Sequence, residues 1–252
     1  MKNKLLIHTI QLTILFSFLI IWEFLSRENI INSFIFSSPT KIVKCILNLY
    51  KNNNLINHIL ITLKEIIISF GLSIFISFII AIIFYEIPTL FKIFEPFLNV
   101  INSTPKVAIG PLIIILFGAG ENSIIIMALS ITLILNILSI HNGFMSVNKY
   151  LLNLLESLNS SRFQKLKYLV IPSAYSVIIN SLKINISMTL IGVIMGEFLV
   201  SKAGIGYLII YGTQVFNLTL VLSGILIILI VSYFLYLIIE ILEKNLNKKH
   251  PF

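Results

Sequence analysis

The side chains that could carry out chemistry are few in this chain and widely spaced. Its 252 residues include 10 acidic residues, 18 lysines and arginines, 4 histidines and one cysteine, Cys45. No aspartate occurs, the glutamates are scattered, and His8, His58, His141 and His250 lack the spacing of a metal site. The P-loop pattern G-x-x-x-x-G-K-S/T is absent, as is any Gly-Lys pair. We therefore expect no catalytic residue, no cofactor and no metal.

Lys106 is the charged side chain that most suggests a function. It follows Ser103 and Thr104 between two apolar stretches, residues 90–101 and 107–117, each too short to cross a membrane alone. An ammonium near the centre of a span costs at least ~2.5–3.5 kcal/mol, and it usually faces a cavity or a partner. One hypothesis is that these three residues line a path and that Lys106 attracts an anionic solute. The alternative is that Lys106 reaches the membrane surface or pairs with Glu95 or another carboxylate.

A second candidate site is the basic, amphipathic segment 149–172. Apolar side chains recur at i, i+3, i+4 and i+7, which predicts a short helix with this face packed on its own bundle. They are Leu151, Leu154, Leu155 and Leu158.

The second half of this segment predicts a turn and a second helix. Asn159 enters the left-handed conformation at low cost and can end the first helix. Ser161 and Gln164 have the spacing of a capping box. Pro172 is expected to stop the second helix by forcing Ile171 out of the α region. The pattern is therefore helix, turn, helix, stop.

The composition indicates an integral membrane protein. Hydrophobic residues make up 58% of the chain and charged residues 11%, and the mean hydropathy is +1.02. Soluble domains carry about 25% charged residues. The apolar runs of roughly 20 residues fit transmembrane helices. The net charge of +8 falls mostly in loops and at the ends, so it indicates topology and no nucleic-acid partner.

Six transmembrane helices are expected, so the fold class is all-α with both termini on one side. The third crossing should be kinked or unwound, because Pro105 and Pro111 each remove a backbone donor. Lys64 and Glu65 are expected at or above the membrane interface, and Glu197 is expected to pair with Lys202. The spans cover approximately residues 5–24, 66–85, 90–117, 123–140, 174–199 and 218–239.

The charges of the loops orient these spans. More lysines and arginines fall in the loops on the side of the N-terminus than in the opposite loops. By the positive-inside rule, both termini and segment 149–172 are therefore cytoplasmic, and the chain is a multi-pass protein of the cell membrane.

Segment 149–172 resembles the cytoplasmic coupling loop of the inner-membrane permease subunits of bacterial ABC importers. That loop has the form E-A-A, three residues, G, then about nine residues to a proline. Here Asn153, Leu154, Leu155, Asn159 and Pro172 stand at those positions. Asn153 thus replaces the usual glutamate, leucines replace both alanines, and Asn159 replaces glycine.

Other segments resemble the permease group that handles nitrate, sulfonates and taurine, and together they cover most of residues 35–240. They are Ser38-Pro39, Thr104-Pro105-Lys106-Val107-Ala108 with Pro111, Phe117-Gly118-Ala119-Gly120, Gly196-Glu197-Phe198-Leu199 and Ala203-Gly204-Ile205-Gly206-Tyr207-Leu208.

The resemblance implies the organisation of the chain. Residues 1–54 would hold the first transmembrane helix and a short extracytoplasmic interfacial helix. Residues 55–240 would form the type-1 ABC transmembrane domain, and residues 241–252 a basic cytoplasmic tail. Glu156 and Arg162 would join the matched loop positions in contacting the ATPase subunit.

The resemblance also implies the function. The chain would be a non-enzymatic permease that works with separate ABC ATPase subunits, a second permease subunit in a homodimer, an extracytoplasmic substrate-binding protein and membrane lipid. The solute would be small and anionic, such as a sulfonate, taurine or nitrate. The alternatives are an importer of a vitamin precursor or other small solute, and a secondary transporter. An ordinary interhelical loop at 149–172 is the simplest alternative to a coupling role.

Overall fold

The computed structural model describes residues 2–52 and 54–249, and every regular element in those ranges is helical. The helices, in chain order, are α1 (Lys2–Arg27), α2 (Ser33–Phe36), α3 (Pro39–Lys51), α4 (Asn54–Glu86), α5 (Pro88–Ser103), α6 (Gly110–Phe117), α7 (Glu121–Met145), α8 (Lys149–Ser157), α9 (Arg162–Lys165), α10 (Ile171–Val200), α11 (Ile205–Gln214) and α12 (Leu218–Lys249).

Among the described residues, five helices are long and apolar enough to cross a membrane. The count rises to six if the bent pair Pro88–Ser103 and Lys106–Phe117 forms one span. This pair is bent by 90°, which confirms the predicted break in the third hydrophobic region. The all-helical, multi-span fold predicted from the sequence is therefore confirmed.

Two prolines explain where that third region breaks. Pro105 precedes a short 3₁₀ turn, Lys106–Ile109, and cannot donate a hydrogen bond to continue α5. Pro111 lies in the first turn of α6, where a missing backbone N–H breaks no helical hydrogen bond. The apolar sequence is thus divided into two short helices instead of one long one.

The chain divides into two compact units. One comprises the chain up to residue 61 together with residues 203–229, and the other comprises residues 62–202 and the chain from residue 230. Two of the three boundaries fall within α4 and α12, which contribute residues to both units, and the third lies between α10 and α11.

In the first unit, the start of α3 is held by side-chain caps. Ser38 accepts a hydrogen bond from the backbone N–H of Lys41 at 3.3 Å, and Pro39 occupies the first turn, as the sequence predicts. Glu23 of α1 accepts hydrogen bonds from the backbone N–H of Thr40 at 3.0 Å and from its hydroxyl at 2.8 Å. These bonds fasten α3 to α1.

In the second unit, α7 and α10 pack closely because glycine removes side-chain bulk between them. A Cβ atom at Gly192 would lie 2.5 Å from Ala128 Cα, and one at Gly196 would lie 2.9 Å from Ile124 Cα. Small residues let membrane helices approach to backbone contact, where dispersion forces hold them together. This helix pair forms the centre of the second unit.

Pro172 does not end the helix that contains it, so that prediction is wrong. Residues from Arg162 to Val200 form one continuous helical segment. A single π-helical turn, Leu166–Val170, precedes the proline, and Ile171 N–H bonds to Leu166 O, five residues back. The wider turn displaces the carbonyl that the proline ring would otherwise meet.

Two further features differ from the expected organisation. The segment from Ile205 to Gln214 forms a helix, α11, that was not expected. The predicted basic tail, residues 241–252, continues α12 as far as Lys249. His250 and the two residues after it lie outside the described residues.

Candidate coupling surface and translocation path

The predicted helix, turn and second helix are present in segment 149–172. Asn148 caps α8 by accepting a hydrogen bond from Tyr150 N–H at 2.9 Å. Asn159 adopts the left-handed conformation with φ of 54°, as predicted. Ser161 and Gln164 form the predicted capping box, with bonds of 2.7 and 3.2 Å. Local sequence signals therefore determine the shape of this element.

The face that α8 presents to its own bundle differs from the predicted one. Leu152 packs against the buried core cluster that includes Val147 and Leu166. Leu154 is 46% exposed and Leu158 is 68% exposed. The predicted leucine stripe is thus mostly an outward surface, and of its members only Leu155 is half-buried.

More apolar side chains extend this outward surface. We call it the coupling surface and define it by its exposed residues, which are Tyr150, Leu151, Leu154, Leu158, Phe163 and Tyr168. Exposed apolar patches mark contacts with another protein or with the membrane. The signal that could have revealed it is the pair of aromatic residues in the second half of the segment, Phe163 within α9 and Tyr168 in the π-helical turn after it.

Charged side chains lie beside the coupling surface. Lys165 Nζ lies 2.8 Å from Glu156 Oε1, which joins α9 to α8 across the Asn159 turn. Arg162 and Glu86 line the same cleft, which has a volume of about 290 Å³. Asn153 is exposed, as are Glu156, Asn159 and Arg162. The predicted coupling residues are thus accessible to a partner, except the half-buried Leu155 and Pro172.

The predicted path residues lie at the break between α5 and the 3₁₀ turn. Lys106 Nζ donates to Asn102 O at 2.9 Å and to Asn102 Oδ1 at 3.3 Å. Ser103 Oγ donates to Asn99 O at 2.8 Å, and Thr104 Oγ1 donates to Ile101 O at 2.6 Å. All three side chains therefore satisfy carbonyl groups at the end of α5.

A buried carboxyl pair in the second unit was not predicted. Glu65 of α4 is 3% exposed, so its side chain faces the interior of the helix bundle. It is in hydrogen-bonding contact with Glu197 of α10, which is fully buried. Thr62 Oγ1 donates to Glu197 Oε1 at 2.6 Å. Glu197 thus turns inward to Thr62 and Glu65, whereas Lys202, its expected partner, is exposed.

The signal for this polar layer is present in α4 itself. Polar residues repeat at intervals of three or four, which places them on one face of the helix. All are buried, and they are Thr62, Glu65, Ser69, Ser73 and Ser77. A charged or polar side chain within a membrane helix usually faces the bundle interior.

A small cavity with a mixed polar and apolar lining lies between α7 and α10. Its volume is about 80 Å³, and its polar lining includes Asn136 and Ser139 of α7 with Ser181 and Asn185 of α10. Asn136 Nδ2 donates to Ser73 Oγ at 2.8 Å. Asn185 Nδ2 is buried and has no hydrogen-bond partner among the described residues.

Comparison with known proteins places this fold in a family. Residues 73–248 match the family described as the binding-protein-dependent transport system inner membrane component. The chain belongs to that family, and it is a multi-pass inner-membrane permease of an ABC importer.

Individual relatives agree with this assignment. The taurine transport system permease protein TauC of Escherichia coli K12 is 23% identical over 247 residues, covering 96% of this chain and 90% of the relative. The riboflavin transport system permease protein RibX of Chloroflexus aurantiacus is 27% identical over 151 residues, covering 60% of this chain and 56% of the relative.

A solved structure shares the fold. A chain of the MetNI methionine ABC transporter in inward-facing conformations aligns with a TM-score of 0.67 and 15% sequence identity. The alignment covers 76% of this chain and 95% of that chain. The fold is that of a type I ABC importer permease.

Proposed function

We propose that this permease moves a small anionic solute, of the sulfonate, taurine or nitrate kind, with energy from ATP hydrolysed on separate cytoplasmic subunits. The observation that carries the proposal is the coupling surface on α8 and α9. Its apolar side chains are exposed, whereas Leu152 packs against the core cluster, and an ATPase subunit would cover the exposed ones.

The coupling surface is suited to transmit motion. The loop charges favour a cytoplasmic position for segment 149–172 and both termini, where an ATPase subunit would bind. Leu152 anchors α8 on the bundle, and the Lys165–Glu156 ion pair and the Asn159 turn hold the two short helices at a set angle. A rigid element of this kind moves as one body when its partner moves.

Three further partners complete the proposed importer. A second copy of this permease forms the other half of the pathway, and an extracytoplasmic binding protein delivers the solute. Lipid covers the remaining apolar faces. In the span Thr9–Arg27 only 6% of residues are buried within the described chain, which leaves most of that helix for such contacts.

The solute path includes the break after α5. Ser103 and Thr104 are exposed there, and Lys106 is half-buried with its ammonium on the Asn102 carbonyl. In the proposed path, this positive charge lies beside non-helical backbone within the third hydrophobic region. Irregular backbone at membrane depth is stable only beside protein or a wet cavity.

A vitamin or vitamin precursor is the second candidate solute. The riboflavin permease favours it, because that relative is 27% identical over the 151 residues it shares, against 23% over 247 residues for the taurine permease.

Reconstitution tests the proposed function. The permease is purified with its ATPase subunits, placed in proteoliposomes, and supplied with ATP and binding protein loaded with taurine, nitrate or riboflavin. We expect ATP-dependent uptake of taurine or nitrate. Uptake of riboflavin alone would support the second candidate, and uptake without ATPase subunits would contradict the importer mechanism.

A further inference from the structure

The cavity between α7 and α10 interrupts an otherwise close helix contact. At Gly192 and Gly196 the two backbones are too close for a side chain, whereas around residues 132–139 and 181–188 they separate. The resulting volume of about 80 Å³ is enough for more than one water molecule or for a small polar group.

Asn185 distinguishes this cavity from an ordinary packing defect. The residue is 2% exposed, and its Oδ1 accepts a hydrogen bond from Thr189 Oγ1 at 3.2 Å. Its Nδ2 has no partner among the described residues, although buried amide donors are nearly always paired. Asn136, across the cavity, donates its own Nδ2 to Ser73. A donor is therefore available in the cavity at Asn185.

The cavity adjoins a polar outer face of α10. Ile184 lines the cavity and is 57% exposed on the surface of the helix. On the same face, at intervals of three, four and seven residues, the helix exposes Ser173, Ser176, Asn180 and Ser187. Amide and hydroxyl groups on a membrane helix face water or protein in preference to lipid. This face, and the mouth of the cavity beside it, therefore border water or a protein partner, and not lipid, in the assembled transporter.

The lining of the cavity determines which chemical group it accepts. All the lining side chains are neutral. Some carry hydroxyl or carboxamide groups, and the others, Leu135, Ile184 and Met188, are apolar. The nearby Lys183 is engaged at 2.5 Å with Glu243, so its charge is already paired. A donor among neutral groups suits an oxygen acceptor, such as a sulfonate oxygen, that must bind weakly enough to be released.

We propose that the Asn185 cavity is a solute-contact site on the translocation path, where Asn185 Nδ2 donates a hydrogen bond to an oxygen of the transported solute. This inference rests on the proposed function, since it assumes that the chain moves a solute with such an oxygen. The site is separate from the break that holds Lys106.

Cysteine labelling tests the site without requiring transport. In full-length permease with Cys45→Ser, Asn185→Cys is exposed in membrane vesicles to a methanethiosulfonate reagent that carries a sulfonate group. The matched control is Asn142→Cys, at an exposed asparagine of α7. We expect Asn185→Cys to react and taurine to slow that reaction saturably, with no effect of taurine on Asn142→Cys. No reaction at position 185, or reaction that taurine leaves unchanged, would overturn the site.

The second measurement is the apparent KM for taurine in ATP-driven uptake by proteoliposomes. Asn185→Leu removes a donor that has no protein partner, and Thr189 keeps its hydrogen bond of 2.8 Å to the backbone carbonyl of residue 185, so assembly and melting temperature should stay near the wild-type level. We expect the apparent KM to rise roughly five- to tenfold, the effect of losing one hydrogen bond to the solute. Asn142→Leu should leave it unchanged. A wild-type KM in Asn185→Leu would overturn the site.

The two measurements separate the site from the proposed function. If taurine protects Asn185→Cys but no ATP-driven uptake occurs, the contact site stands and the importer mechanism fails. If uptake is ATP-driven but taurine gives no protection, the importer stands and the site fails.

Discussion

Glu65 and Glu197 lie in hydrogen-bonding contact inside the second unit, and Thr62 donates to Glu197 from one turn before Glu65. Adjacent buried carboxyl groups cannot both carry a charge at low cost, so the pair is stable when one proton is shared between them. The contact joins α4 to α10, two helices that are far apart in the sequence.

Glu65→Gln should therefore leave the melting temperature of the purified permease unchanged or higher. Glutamine keeps the shape and can donate to Glu197 without a second negative charge. Glu197→Ala should destabilise the protein by about 1–3 kcal/mol, because the Thr62 hydroxyl and Glu65 lose their partner.

Glu121→Gln is the matched control for this pair. It breaks the exposed contact of 2.7 Å with Lys64, and exposed ion pairs contribute about 0–1 kcal/mol. Equal losses of melting temperature in Glu65→Gln and Glu197→Ala would show that the two carboxyl groups do not share a proton.

Gly192→Ala should force α7 and α10 apart. The new Cβ would lie 2.5 Å from the Ala128 backbone, and overpacking of this kind costs about 1–3 kcal/mol. Gly71→Ala is the control, because no heavy atom lies within 4 Å of the Cβ it would add. Thermal unfolding in detergent should show a loss for Gly192→Ala and no loss for Gly71→Ala. The reverse order would contradict the close helix contact.

Asn159→Gly should preserve or improve ATP-driven uptake, because glycine adopts a positive φ without strain. Asn159→Val should uncouple uptake from ATP hydrolysis, since a β-branched residue resists the left-handed conformation by at least about 1–2 kcal/mol. The measurement is solute imported per ATP hydrolysed. Equal ratios in the two variants would mean that the geometry of the turn does not matter for coupling.

Lys106→Ala should reduce the uptake of an anionic solute, whereas Lys106→Arg, which keeps the positive charge, should retain most of it. The alanine variant also loses the hydrogen bonds to Asn102 at the end of α5, so its melting temperature is measured in parallel. Lys92→Ala, at an exposed lysine within α5, is the control. Unchanged uptake in both Lys106 variants would remove this residue from the path.

Much of the fold could be predicted because its signals are local. Apolar runs of about 20 residues define spans wherever they occur. The Ser161–Gln164 capping box and the left-handed Asn159 depend on neighbouring residues, and both are present as predicted. The break after α5 likewise follows from its own prolines.

The features of the fold and of the candidate site that were not predicted depend on contacts between residues far apart in the chain, which one sequence does not show. Leu152, and not Leu154, faces the core, because the cluster that contains Val147 and Leu166 covers that side of α8. The helix continues through Pro172 because the π-helical turn Leu166–Val170 relieves the clash. The Glu65–Glu197 contact joins residues of two separate spans.

The role of the coupling surface is tested by one substitution on that surface and one on the opposite, core-facing side of α8. Leu154→Ser changes an outward leucine, so it should leave the melting temperature near that of the wild type. Leu152→Ala removes a half-buried side chain that packs on the core cluster, so it should destabilise the protein by less than the roughly 2–5 kcal/mol lost when a fully buried leucine becomes alanine. Leu47→Ser, at a 51% exposed leucine of α3, is the control for adding a polar group elsewhere.

The most direct measurement of the central claim is the amount of ATPase subunit that co-purifies with each of these variants, together with the ATP-driven uptake it supports. The account predicts that Leu154→Ser loses most of the ATPase and most of the uptake while the permease stays folded, and that Leu47→Ser keeps both. Wild-type levels of bound ATPase and of uptake in Leu154→Ser would contradict the claim that this surface couples ATP hydrolysis to transport.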